Sequence, residues 1–467
     1  MKPVSAPDVT APADRAGLGF WLAEQSDEDL TPGAPLDGDT HADVVIVGGG
    51  YTGLWIAYYL TEFAPQTKIV VLEAKQAGFG ASGRNGGWCT AEMPSLLTTL
   101  VGTHGPMAAM RMYRAARATL DEIERVLESE QLDAGWRRDG SLYVARTKPQ
   151  LDRLRAWRDG RAQLGITDFR LLDPDEAANS IAVRDATGIG FTPHCAAVHP
   201  ARLGLGLAQA VRGRGVTIAE GTAATAVRER AVVTEHGTVY AKAVLLATEG
   251  YTGGLAGRGR AIVPLRSHAI ATAPLGAAAF ERLRWRGAPT VTDSRYQFCY
   301  LNRTPDDRIV IGGRGVGYLL GSRLRARPAA ERAVHARLLA TLTDLFDGIG
   351  DVRVTHGWSG LYGLQRDSEP SVVFDKETGH GYAGGYGGEG IVLSNLAGRT
   401  MAALVTGTRR PETKLCWNGR TPSRWEPEPV RYAGIRGIAT LATMADLFED
   451  RTNRTAPLAQ VIMKSVV

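Results

Sequence analysis

Cysteine is scarce: the 467-residue chain holds only Cys89, Cys195, Cys299 and Cys416. They stand far apart without C-x-x-C spacing, so neither a disulfide framework nor a zinc site is expected, and their use fits a reducing cytoplasm. No H-E-x-x-H pattern offers another metal site, and none is expected. Long apolar runs are missing as well. Glycines and charges interrupt every candidate before it reaches the length of a membrane span, and the first residues lack the basic stretch and apolar core of a secretory signal. Charge of one sign is not concentrated either. The net charge of +5 comes from 54 basic against 49 acidic residues. Clusters such as Arg137-Arg138, Arg258 to Arg260 and Arg282 to Arg286 read as solvated faces, and without a basic stripe interleaved with aromatics a nucleic-acid partner is excluded.

What remains is the composition of a globular enzyme, 44% apolar and 22% charged, long enough for two or three domains. The richest stretch runs from Val44 to Glu73. Val44 to Val47 is a β-branched run that reads as a buried parallel strand. Gly48-Gly49-Gly50-Tyr51-Thr52-Gly53 follows and opens a helix near Tyr51. Gly48 permits a tight turn, Gly50 lets backbone approach a pyrophosphate, and Gly53 lets the helix pack on the strand. Lys68 to Leu72 is the next strand. Glu73 at its tip stands where an acid accepts hydrogen bonds from an adenosine ribose, and a carboxylate there repels the 2′-phosphate of NADP. Strand, glycine turn, helix, strand and acid in this order predict a dinucleotide site, with FAD and NAD both open.

Along the chain, residues 1–40 read as an extended arm that docks through Phe20 and Trp21. A helical pattern covers Leu96 to about Glu130, and Trp136 to Ala145 alternates like a strand. Helices are expected over 149–164, from Asp173, over 201–211 and over 328–345. Strands are expected at 216–219, 222–227, 232–234, 239–240 and 243–250, with β-rich segments at 261–274, 290–301 and 308–314. Gly379 to Gly390 reads as a glycine-dense loop that delivers amides to an oxygen-rich ligand at the start of a helix over 391–406. Proline-rich sequence then leads to a last helix near 438–448.

The segment Gly78-Phe79-Gly80-Ala81-Ser82-Gly83-Arg84-Asn85-Gly86-Gly87-Trp88 makes a loop suited to a long cofactor. Here the chain resembles the D-amino-acid oxidase and glycine oxidase type of FAD-dependent oxidoreductase, most closely the gamma-glutamylputrescine oxidase-like branch. Val198 to Leu203, Val244 to Thr252, Ile262 to Leu275, Asp307 to Arg314, Trp358 to Gly360, Arg366 to Pro370 and Gly384 to Ile391 resemble further family segments in the same order.

The resemblance implies an α/β fold with an α+β insert: a Rossmann-like FAD-binding domain of glutathione-reductase/D-amino-acid-oxidase type with an interleaved antiparallel-sheet substrate domain. The expected FAD domain comprises 41–95, 195–262 and 350–408, the substrate domain 96–194 and 263–349, and the extension 409–467. Gly48, Gly50, Tyr51, Thr52 and Gly53 would hold the pyrophosphate, and Glu73 and Ala74 the ribose. Ser82, Arg84, Asn85, Gly86, Gly87 and Trp88 would pass under pyrophosphate and flavin. Ala224 and Val227 would border adenine, and Ala247 and Thr248 the dinucleotide. Gly387, Gly388, Glu389, Gly390 and Ile391 would face the pyrimidine edge, where amides stabilise charge on reduced flavin. FAD is expected to be noncovalent. Many relatives carry His at Glu389 and Gln at Trp88, so the pocket is expected to differ from theirs.

The implied reaction is hydride transfer from the carbon beside an amine nitrogen to flavin N5, giving an imine that water hydrolyses, with oxygen reduced to peroxide. A dehydrogenase that uses a quinone or carrier, and a flavin-binding protein without turnover, are the alternatives. Trp88, Tyr296, Tyr300, Arg303, Trp358 and Tyr386 are the candidate substrate contacts. His199 is expected to be structural at a helix start.

Overall fold

The computed structural model describes residues 18–325 and 327–457. The strand Thr40–Val47 is buried from Val44 onward and lies parallel to two neighbours, Ile69–Leu72 and Gly237–Leu246, with Val47 opposite both Leu72 and Leu246. The three central strands therefore end together, which creates the crevice where parallel sheets bind ligands. Thr217–Ala219 extends this sheet on one side and His380–Gly384 with Ser371–Phe374 on the other, and a hairpin of Ala224–Arg228 and Ala231–Thr234 hangs from Gly237–Leu246. The expected separate strands 239–240 and 243–250 are one continuous strand. Helix Tyr51–Phe63 packs on Gly390–Thr406, both buried over most of their length.

A second sheet of eight strands begins with Val354–Leu364, Val263–Thr272, Ile309–Gly317 and Cys299–Arg303, and continues through Thr290–Asp293 and Ser141–Ala145 to Gly188–Thr192 and Arg170–Leu171. Every neighbouring pair is antiparallel except Thr290–Asp293 with Ser141–Ala145. Helix Pro328–Leu345 covers one face, burying Val334, Leu338 and Leu342 against Ile270 and Ile311.

Two segments pack with partners other than those of their expected grouping. Val354–Leu364 runs antiparallel to Val263–Thr272 and so belongs to the second sheet, whereas the resemblance groups 350–408 with the FAD domain. The region 96–130 is two helices, Pro94–His104 and Pro106–Ser129, separated at Gly105 by a positive φ of 78° and by a proline that cannot donate. Their apolar face, including Met112, Tyr113, Ala116, Leu120 and Ile123, joins the core formed by Leu54, Leu60 and Leu396. These helices thus thicken the first layer instead of belonging to the substrate sheet. Of the expected strand 136–145, Ser141–Ala145 is strand and Arg137 makes an isolated antiparallel bridge to Ala197, and a strand, His380–Gly384, occupies the start of the expected glycine loop. Gly381 has room only for hydrogen there, because a Cβ would lie 2.5 Å from Leu245.

The capping box at Asp173 and Glu176 starts Pro174–Ser180, and the last helix is longer than its pattern suggested, Val430–Thr452. Among the described residues, no helix is long and apolar enough to cross a membrane. The described part of the arm holds two helical turns, Phe20–Ala23 and Asp27–Leu30, and docks through the first, with Phe20 wholly buried against Trp358 and His356. Phe20→Ala should cost about 3–5 kcal/mol of stability through the cavity it leaves, read as a lowered denaturant midpoint.

Candidate functional site

A cavity of about 520 Å3 opens at the crevice. Of the residues singled out in the sequence, it is lined by Gly48, Gly50, Tyr51, Thr52, Glu73, Ala74, Ser82, Arg84, Asn85, Gly86, Trp88, Ala224, Ala247 and Thr248, and also by Tyr300, Tyr386, Gly387, Gly388, Glu389, Gly390 and Ile391. Segments distant in sequence are brought there because the strands Thr40–Val47, Ile69–Leu72 and Gly237–Leu246 stop at one level.

The turn is built by exclusion of side chains. Gly48 has φ 110°, and a Cβ on it would meet the Ala247 carbonyl at 2.6 Å. On Gly53, a Cβ would lie 1.9 Å from the Gly48 carbonyl. Gly53 itself stays behind the cavity as the contact between helix and strand. At Gly50 a Cβ would come within 2.9 Å of Ser82 Oγ, which accepts the Tyr51 amide at 2.9 Å. The N-terminus of Tyr51–Phe63 thus meets the cavity through small residues, and the start of Gly390–Thr406 reaches the same cavity through Gly390 and Ile391. Gly387 and Gly388 have positive φ, 63° and 111°, and a Cβ on Gly388 would meet nothing within 4 Å. Open backbone at both ends, joined by one cavity, suits an elongated anionic dinucleotide.

Glu73 accepts the Gly49 amide at 2.8 Å on one oxygen and the Lys75 amide at 2.9 Å on the other. Each oxygen keeps a second lone pair for a ribose hydroxyl. Burial raises the Glu73 carboxyl pKa above its ordinary value, against the pull of those amides. Two further contacts tie the ends of the cavity together. Thr52 Oγ1 and Tyr386 hydroxyl lie 3.1 Å apart, so the Tyr386 hydroxyl is engaged with the helix start. Glu249, half-buried at the cavity wall, accepts amides from Gly385 at 2.7 Å, Gly363 at 3.2 Å and Tyr386 at 3.3 Å, and removal from solvent pushes its carboxyl up to about 7.

The other end is aromatic. The Trp88 and Tyr300 rings are stacked at 6.3 Å and 20°, with Phe298 6.4 Å from Trp88. Tyr300 is slotted between glycines: a Cβ at Gly86 would lie 2.0 Å from its ring and one at Gly312 2.2 Å from its hydroxyl. That hydroxyl is 3.2 Å from Ser267 Oγ, and burial pushes its pKa up to about 12, so it is a neutral donor or acceptor near pH 7.

Three of the six candidate substrate contacts lie elsewhere. Strand Cys299–Arg303 alternates, so Tyr300 and Asn302 face one side while Cys299 and Leu301 enter the core under Pro328–Leu345. Arg303 follows the second set: it pairs with Asp307 at 2.6 Å and stacks over Phe280 at 4.0 Å. Tyr296 is held by the last helix, its amide donating to Asp446 at 2.8 Å, with Arg153 over its ring at 4.3 Å. Trp358 is buried behind the cofactor loop and donates its indole N–H to the Arg84 carbonyl at 2.8 Å. Among the cofactor candidates, Val227 packs into the first sheet's core and not the cavity. Gly87 lies behind the loop, where a Cβ would strike the Val198 carbonyl at 2.3 Å. His199 caps helix Pro200–Gly213 by accepting the Arg202 amide. Glu249, Tyr251, Ser267, Phe298 and Tyr362 also line the cavity without having been singled out as site residues. Phe298 stands two residues before Tyr300, and that spacing was the available signal.

Residues 43–404 match the family described as FAD dependent oxidoreductase (DAO). The chain is 32% identical to gamma-glutamylputrescine oxidoreductase of Escherichia coli strain K12 over 381 residues, covering 78% of this chain and 84% of that one. It is 27% identical to the probable oxidoreductase OrdL of Haemophilus influenzae, covering 80% and 85%. In fold it resembles glycine oxidase from Geobacillus kaustophilus, with a TM-score of 0.66 at 23% identity over 79% of this chain and 96% of that one. A cavity that suits a dinucleotide from its glycine turn to its aromatic end, in a chain matched over most of its length, places this protein in the FAD dependent oxidoreductase (DAO) family.

Proposed function

We propose that this chain oxidises the carbon–nitrogen bond of a small amine or amino acid at the aromatic end of its cavity. The observation that carries this reading is the continuity of one cavity from Glu73 and the Gly48–Gly53 turn to Trp88, Phe298 and Tyr300. Relatives named for gamma-glutamylputrescine and glycine support a nitrogen-bearing substrate. FAD, when bound, supplies the two-electron acceptor, and the protein supplies position and electrostatics. In this reading Gly48, Gly50, Tyr51, Thr52 and Ser82 hold the pyrophosphate, Glu73 the ribose, and Gly387 to Ile391 the flavin's polar edge. The substrate domain is the second sheet together with the segments that carry Phe298 and Tyr300.

Trp88, Phe298 and Tyr300 form an apolar wall that excludes water and offers ring faces to a neutral or cationic amine. Glu389 supplies a carboxyl at the same cavity. Glu389→Gln is expected to raise KM for a cationic amine about 10-fold or more, the worth of a charge-assisted hydrogen bond, while a neutral substrate changes little. Steady-state kinetics with the pair of substrates checks this.

Oxygen is the proposed acceptor. One peroxide per amine oxidised is the expected yield. A yield near zero with turnover sustained by a quinone would assign the chain to the dehydrogenases, as in the neighbour of similar fold from P. horikoshii described as an L-proline dehydrogenase.

A further inference from the structure

A second cavity, of about 390 Å3, lies behind the loop that lines the first. Its wall grips that loop from the back. Trp21 donates its indole N–H to the Asn85 carbonyl at 2.8 Å, and Asn302 Nδ2 donates to the Gly86 carbonyl at 3.3 Å. Because the Asn302 nitrogen faces two glycine carbonyls, its oxygen points the other way. That Oδ1 is buried and accepts no hydrogen bond, although Asn302 is only 2% exposed. A buried acceptor left unpaired costs about 1–3 kcal/mol and calls for a donor.

The charges around the cavity are also incompletely matched. Arg137 gives one guanidinium nitrogen to the Arg303 carbonyl, its Nε is buried without a partner, and burial lowers its pKa in spite of Asp139. Arg202 is tied to Asp133 at 3.0 Å and Arg308 to Asp306 at 2.5 Å, so neither satisfies the opposite wall. Glu24 comes no nearer than 3.9 Å to His199 and 4.0 Å to Arg308. Partial burial, helped by Asp306 and opposed by Arg308 and Arg202, raises the Glu24 carboxyl to about 7 although its side chain is 34% exposed, and burial lowers the His199 imidazole to about 4, leaving it uncharged near neutrality.

We propose that this cavity binds a small zwitterion, its carboxylate on Arg137 and its ammonium between Asn302 Oδ1 and Glu24. A simple anion would leave the Asn302 acceptor unpaired and place no cation beside Glu24, and a simple amine would leave Arg137 Nε without an acceptor. An amino acid satisfies all three. Its ammonium would fix the Asn302 amide that holds the Gly86 carbonyl, so occupancy is coupled to the loop that lines the cofactor cavity. The inference stands apart from whichever molecule is oxidised in the first cavity.

The test is isothermal titration of the FAD-loaded enzyme, kept anaerobic, with glycine, 4-aminobutyrate, acetate and ethylamine. At least one of the two amino acids should bind, with acetate and ethylamine each weaker by about 10-fold or more. Arg137→Gln and Asn302→Leu should each weaken the amino acid by a similar factor, with an unchanged flavin spectrum showing that the fold and first cavity are intact. Glu24→Gln leaves the Arg137 bond to Arg303 in place and should weaken the amino acid but not acetate. Unchanged affinity in Arg137→Gln and Glu24→Gln, acetate binding as tightly as the amino acids, or no heat from either amino acid would overturn the proposal.

Discussion

Gly50→Leu should fold and purify colourless. Its Cβ already needs Ser82 Oγ to retreat from 2.9 Å, and the remaining side chain would fill the place where a pyrophosphate approaches the start of Tyr51–Phe63. Losing the charge-assisted hydrogen bonds of that anion is worth about 3 kcal/mol or more, so FAD affinity should fall by roughly 100-fold or beyond. Circular dichroism should remain that of the parent, because Gly50 faces the cavity. Gly53→Val should behave differently. Its Cβ would sit 1.9 Å from the Gly48 carbonyl, backbone that cannot swing aside, so the helix must leave the strand at a cost of about 3 kcal/mol or more. A folded, colourless Gly50→Leu beside a destabilised Gly53→Val would separate the two roles. A Gly50→Leu protein that still retains its flavin would contradict the placement of the pyrophosphate.

Glu249→Leu is expected to be the most damaging substitution at the cavity wall. It leaves the amides of Gly363, Gly385 and Tyr386 without their acceptor. At about 1–3 kcal/mol for each unpaired amide, the loss is 3 kcal/mol or more. The segment from Gly385 to Ile391 would lose its tether, so FAD retention should fall with stability. Glu249→Gln keeps the shape and should be milder. It should also change the pH dependence. The folded carboxyl holds its proton up to about 7, against 4.5 in the unfolded chain. The stability it contributes is therefore full below about 4.5 and is lost as pH rises through about 7, because the folded state binds the proton more tightly. Denaturant midpoints between pH 4.5 and 8 should fall less steeply in Glu249→Gln than in the parent. Equal slopes would show that Glu249 is ionised throughout that range.

The part of the site written in local sequence was legible. Val44 to Val47, the glycine turn and Glu73 are contiguous, and their geometry follows from period and glycine placement. The docking of Phe20 and Trp21 could be read because two large apolar residues stand in an otherwise polar arm. Facing directions were harder. Tyr300 and Arg303 were equally plausible until strand alternation set Tyr300 toward the cavity and Arg303 toward Asp307. Tyr296 is drawn away by Asp446 and Glu449, some 150 residues further along the chain. The membership of Val354–Leu364 in the second sheet likewise depends on pairing with Val263–Thr272, which no local pattern announces. Glu249 carries no local signal, because its importance lies in three amides supplied by two other segments.

Anaerobic mixing of the purified protein with a panel of polyamines, their acyl derivatives, N-methyl amino acids and amino acids tests the central claim most directly. The oxidised protein should show bands at roughly 370 and 450 nm, as a flavin enzyme does. At least one amine or amino acid should bleach the longer-wavelength band within the mixing experiment, and oxygen should restore it. A flavin that stays oxidised across the whole panel would contradict the assignment of the aromatic end as a site of amine oxidation.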